Sequence, residues 1–141
     1  MNARFELVGI LRTGEHAVIP AAVRRRVLVA DNNVDLAQLL GEIIGTEDSL
    51  DFVGHVSSGA EALARVDGES IDILILDLGL ADVHGFDVLD RLKRAGSPTK
   101  VIVHSGYSSP QLVAHAQRHG AAAYVVKDGD VKTLLAAIRA A

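Results

Sequence analysis

The stretch Ile73-Leu74-Ile75-Leu76-Asp77-Leu78-Gly79-Leu80 decides how this chain is read. Four consecutive apolar residues, with no polar position among them, make a strand covered on both faces, which is the condition of a central strand in a parallel sheet. The run then ends on a carboxylate. No helix start lies beside Asp77, so helix capping does not account for it. In an open parallel sheet, ligands bind at the carboxyl ends of the strands.

Outward from this stretch the same pattern recurs. Short apolar runs at about 25–30, 51–56, 72–76, 100–103 and 122–126 alternate with helix-period segments, the signature of βα units. The fold expected is α/β, a five-stranded parallel doubly wound sheet with helices on both faces. The second strand, containing Gly54 and His55, reads as an edge. Leu36, Leu39, Leu40, Ile43 and Ile44 form one apolar helical stripe, and Val131, Leu134, Leu135 and Ile138 form another. Phe86, Leu89 and Leu92 mark the third helix. The second (Ala60, Leu63, Val66) and fourth (Leu112, Val113, Ala116) have thinner, alanine-rich faces, so a weakly anchored fourth helix could move. Residues 1–23 fall outside this rhythm: Phe5, Leu7 and Val8 lie on one side of Thr13-Gly14, and Val18-Ile19 on the other. A hairpin or a loose arm fits them equally, appended to one domain over 24–141.

Composition sets the class. With 141 residues and 49% hydrophobic content the chain can bury one full core. There is no cysteine, so disulfides and thiolate zinc sites are excluded. The apolar runs are too short to span a membrane, and Arg4, Glu6 and Arg12 interrupt the N-terminus where a signal peptide needs an apolar stretch. A cytoplasmic location without membrane contact is therefore expected. A net charge of −4 gives no general basic surface, so no direct DNA binding by this chain is expected.

The strand ends carry the chemistry. The first runs into Asp31-Asn32-Asn33, the third into Asp77, the fourth into His104-Ser105 and the fifth into Lys127-Asp128. Converging, they would place two carboxylates, an amide, a hydroxyl and an ammonium around one cleft, a set suited to Mg2+ facing a phosphoryl group. The first loop has no glycine with which to cradle a nucleotide phosphate. Ser105 lies in His-Ser-Gly-Tyr rather than on a Gly-x-Ser-x-Gly elbow, which argues against a serine hydrolase.

Taken singly, several residues have plainer readings. Asp31 could cap the first helix, Ser105 could be a turn residue beside Gly106, and Tyr124 a packed strand aromatic. His115 and His119, spaced i, i+4 with no third ligand, read as a solvated face.

From Arg24 to Ala141 the chain resembles the receiver domains of two-component response regulators. Val27-Leu28-Val29-Ala30-Asp31-Asn32-Asn33 is similar to the family's first strand and acidic pair. Ile73 to Leu80 is similar to its phosphoacceptor strand and loop, and Asp82-Val83-His84-Gly85 to the glycine turn that follows. Val101-Ile102-Val103-His104-Ser105-Gly106 resembles the strand ending in the switch hydroxyl, and Ala123-Tyr124-Val125-Val126-Lys127 the strand with the switch aromatic and the lysine. The resemblance implies strand order 2-1-3-4-5. It implies Asp77 as phosphoacceptor, with Lys127 and Ser105 on the phosphoryl oxygens and Ser105 and Tyr124 as the switch. It also implies Mg2+ on Asp31, Asn32, Asp77 and the Gly79 backbone carbonyl. Phosphate would come from a sensor histidine kinase or phosphotransfer protein, and the output would be contact with a downstream protein effector through the fourth helix, fifth strand and fifth helix.

Four positions depart from the family pattern: Asn32 replaces an acid, Ala81 a proline, His84 an acid or amide, and Asp128 a proline. Lys127-Asp128 is similar to the variant in regulators with a C-terminal helix-turn-helix output domain, a domain not expected within this chain. Two other functions stay open. One is a degenerate pseudo-receiver, weakened in metal binding by Asn32 and acting as a phosphorylation-independent interaction module. The other is a small phosphohydrolase using Asp77, which would need a general acid where Gly79 stands.

Overall fold

The computed structural model describes residues 23–141; the proposed arm lies almost wholly outside them. Five strands, β1 (Arg25–Ala30), β2 (Leu50–Val56), β3 (Ile73–Leu76), β4 (Lys100–Ser105) and β5 (Ala123–Val126), alternate with five helices. The helices are α1 (Val34–Gly45), α2 (Gly59–Gly68), α3 (Gly85–Arg94), α4 (Pro110–Arg118) and α5 (Val131–Ala140). The sheet is wholly parallel, in the order β2-β1-β3-β4-β5, so β2 is an edge as its Gly54 and His55 suggested. Strand β4 runs two residues beyond the expected Val103 and takes in His104 and Ser105.

The continuous apolar strands divide their side chains between two cores by simple alternation. Leu28, Ala30, Leu74, Leu76, Val101 and Val103 pack toward Ala62, Val88, Leu89, Leu92 and Ala116, which come from α2, α3 and α4. Val27, Val29, Ile73, Ile75, Ile102 and Val125 pack toward Ala37, Leu40, Ile44, Leu134 and Ile138, from α1 and α5. Each of the large aliphatic side chains buried in this way contributes about 1.5–3 kcal/mol.

The helix faces correct one sequence expectation. On α1 the buried residues are Ala37, Leu40, Gly41 and Ile44, while Leu39 is exposed. The face is set by Gly41, which lies so close to the Phe52 ring that a Cβ there would come within 2.5 Å of it. On α4 only Ala116 is fully buried, in keeping with its thin apolar face. In the edge strand the β1–β2 register slips between Val27 and Leu28, passing over Val53, and Gly54 beside it has φ 126°, a conformation side chains disfavour.

Two glycines separate packing from propensity. A Cβ on Gly85 would lie 2.6 Å from Leu78 Cδ2 and 2.8 Å from Leu78 Cα, under the loop that follows Asp77, whereas nothing lies within 4 Å of one on Gly45. Urea unfolding should show Gly85→Ala destabilised by about 1–3 kcal/mol. Gly45→Ala should be stabilised by about 0.4–1 kcal/mol.

Candidate functional site

Three strand ends meet around one ammonium group. Lys127 Nζ lies 2.7 Å from Asp31 Oδ2 and 3.5 Å from Asp77 Oδ1, with both carboxylates largely buried. Lys127 is held in register because its amide donates to the Ser105 carbonyl at 2.7 Å. Asp77 in turn donates its amide to the Ala30 carbonyl at 2.9 Å, so β1, β3 and β5 are brought to one point. The cavity here, about 680 Å³, is lined by Asp77, Gly79, Ser105 and Lys127 on its polar side. Phe86, Tyr107 and Leu112 form much of its apolar wall.

In the first loop the helix cap falls to Asn33 rather than to Asp31. Asn33 caps α1, its side chain accepting from the Leu36 amide at 3.1 Å. Asp31 accepts the Asn33 amide at 2.9 Å and directs its other oxygen to Lys127. Asn32 is exposed. Gly79 lines the cavity and donates its amide to Asp77 Oδ1 at 3.1 Å, which orients that carboxylate.

Ser105 is buried, and its Oγ accepts the Tyr107 amide at 3.2 Å. Tyr124 is half-buried against the α2–α4 core and donates its hydroxyl to the Tyr107 carbonyl at 2.5 Å. Both residues named for the switch therefore bind the same peptide residue, and Tyr107 was not singled out from the sequence. Its ring is 79% exposed, and only the tertiary placement of its backbone reveals the link.

Three other residues acquire roles that sequence reading missed or misread. Asp82 accepts the Gly59 and Ala60 amides at 2.8 and 3.0 Å, tying the loop after Asp77 to the start of α2. These bonds hold its carboxyl below the usual aspartate range. His84 fills the position of the family's acid or amide and still caps α3, its Nδ1 accepting the Phe86 amide at 3.2 Å. His104, next to Ser105 in the chain, points to the other face of the sheet and lines a cavity of about 180 Å³ with Leu36, Leu40, Leu134 and Lys127. Burial foremost, and then the Lys127 charge, push its imidazole toward the neutral form against the pull of Asp31, Asp77 and Asp128.

His115 and His119 are not a solvated face. Both are half-buried, stacked on each other and packed beside Phe86.

No helix among the described residues is long and apolar enough to cross a membrane. An oxygen-only donor set is what a hard cation such as Mg2+ requires, and Asp31 and Asp77, converging on a single cation, fit that group. 

Known proteins share this family and fold. The DNA-binding transcriptional activator DevR/DosR of Mycobacterium tuberculosis is 31% identical over 73% of this chain and 48% of its own length. The signal receiver domain of a NarL response regulator from the same organism superimposes with a TM-score of 0.76 at 25% identity, covering 84% of this chain and 98% of that one. A CheX–CheY complex of Borrelia burgdorferi, crystallised with BeF3 and Mg2+, has a TM-score of 0.77 at 24% identity, covering 82% and 87%. The chain spans about half the length of the curated relatives it matches.

These relatives overturn the expected partners. Those it matches are described as transcriptional regulators, and one is named as DNA-binding, so a separate protein effector with DNA excluded does not stand. They are regulators rather than classical enzymes. The response regulator receiver domain profile matches residues 27–139, and the chain belongs to that family of two-component signalling proteins.

Proposed function

We propose that the chain accepts a phosphoryl group on Asp77, and that the transfer changes the shape of the β4–α4 loop. The observation that supports this most is the placement of the Asp77 carboxylate at a strand end, facing Lys127 and sharing a cavity with Ser105. An Asp77 oxygen attacks phosphorus, the P–N bond of a phosphohistidine donor breaks, and the departing imidazole nitrogen takes up a proton. Lys127 offers a point charge to the phosphoryl oxygens. Asp31 and Asp77, with the Gly79 carbonyl and the Asn32 amide, would hold Mg2+. When bound, Mg2+ supplies positive charge against the incoming anionic group.

The switch follows from Tyr107. In this structure Ser105 Oγ is engaged by the Tyr107 amide. The Ser105 hydroxyl keeps its own O–H for a phosphoryl oxygen, so when Ser105 turns toward that oxygen the Tyr107 amide bonded to it is drawn along, and the Tyr107 carbonyl carries the displacement to Tyr124. The affected face is α4, β5 and α5. By likeness to the transcriptional regulators it matches, this face governs a DNA-binding output.

Intact mass after incubation with acetyl phosphate and magnesium should show one added phosphoryl group, absent from Asp77→Asn. An aspartyl phosphate persisting in that variant would overturn the assignment. A second prediction concerns Asn32. A unit charge about 4 Å from a cation is worth on the order of 4 kcal/mol at an effective dielectric near 20, and solvent screens much of it. A residue of about 1.4 kcal/mol is tenfold, so Asn32→Asp should bind Mg2+ at least about tenfold more tightly in a metal titration. Equal affinity would place Asn32 outside the metal's coordination. Phosphorylation by Asn32→Asp alone would make the native chain a degenerate receiver.

A further inference from the structure

The seam between α3 and α4 is built from rings. Phe86 stands 5.2 Å from His84 and 4.3 Å from His115, with His119 at 5.9 Å. His115 on α4 and His119, its C-cap one turn on, stack at 4.3 Å and 10°. Two polar contacts continue the seam: Lys93 Nζ donates to the Arg118 carbonyl at 2.9 Å, and His119 Nδ1 lies 4.0 Å from Asp90 Oδ1. That Nδ1 is buried and has no hydrogen-bond partner. Because α4 fully buries only Ala116, this cluster supplies much of its attachment to α3.

The charges around the two imidazoles are unequal. His119 faces Asp90 of α3, which is also paired with Arg94. His115 faces His119 and Arg118 on its own helix and His84 at the start of α3, all cationic or capable of becoming so. Lys93 of α3 adds a further cation at the end of α4. The only titratable side chain within β5 is Tyr124, whose hydroxyl is committed to Tyr107.

We propose that His115, stacked on His119 and against Phe86, is a proton-operated release for α4: a proton on His115 uncouples α4 from α3. A charge on His115 would lie against the His119 ring and beside Arg118 and His84, while the Asp90 carboxylate faces His119 instead. Burial, then His119, Arg118 and His84, hold His115 below its ordinary value. The docked helix thus refuses a proton that the undocked helix accepts. Docking is complete above about pH 6.5, the ordinary histidine value, and weakens as the pH falls below it. The device needs no phosphoryl chemistry and stands apart from the assignment of Asp77.

The test uses the unphosphorylated chain. Amide exchange of α4, corrected for the intrinsic rate and referred to β1, is compared between about pH 7.5 and 5.5 in the native protein, His115→Phe and His115→Gln, since each unit of depression in pKa is tenfold in proton affinity. Opening of α4 should rise measurably in the native protein, by up to about tenfold, the limit set by one group with an ordinary value near 6.5. It should stay constant in His115→Phe, which keeps the ring without the charge, and in His115→Gln if the phenylalanine variant fails to fold. Equal α4 exchange at the two pH values, or the same rise in a folded variant, overturns the proposal.

Discussion

Two buried carboxylates sharing one ammonium are the constraint on which the rest of this protein depends. Asp31 and Asp77 end the neighbouring central strands β1 and β3, so the fold itself drives like charges together in a setting that screens them poorly. Lys127 offsets that repulsion, but it reaches the pair from β5, two strands away from β3. Register across the whole sheet is therefore coupled to the charge balance of one site. Because negative charge is concentrated around a single cation, a further anion or a metal would upset this balance.

The two sides of the sheet are built differently. The α1–α5 side closes over Leu40, Ile44, Leu134 and Ile138, and even its histidine is held toward the neutral form by burial. The other side reaches the site through Ser105, Tyr107 and a helix that fully buries one alanine. Mobility belongs where few apolar contacts must be broken. The hydroxyl that would meet a phosphoryl group and the tyrosine that would report it are joined through Tyr107 at the entrance to that helix.

Much of this was legible in the chain. Strands covered by helices on both faces carry continuous apolar runs, at the sheet's centre and at its β5 edge alike, which is why β1, β3 and β5 could be placed to within about a residue, and why their polar termini stood out. The α1 stripe was less legible, because Leu39 and Leu40 are equally apolar and only Gly41 against Phe52 decides which is buried. Asn33 and Asp31 are both good capping residues, and the lysine four strands downstream in sequence selects between their roles. His115 and His119 were misread because their partner, Phe86, lies on another helix. The exclusion of DNA rested on net charge, which is an average. Residues 91–127 contain Arg91, Lys93, Arg94, Lys100, Arg118 and Lys127 and no acid, so the charge is segregated rather than uniformly negative. Nor does the charge of a receiver decide what a regulator about twice its length binds.

The central claim, that charge on Asp77 is converted into movement of the β4–α4 loop, is tested most directly by mapping backbone amide shifts with beryllofluoride and magnesium, a phosphoryl mimic. The account predicts that the largest changes fall on Ser105, Gly106, Tyr107 and α4, with Tyr124 following and α1 nearly still. Changes confined to residues 34–45, with Tyr107 unmoved, would contradict it.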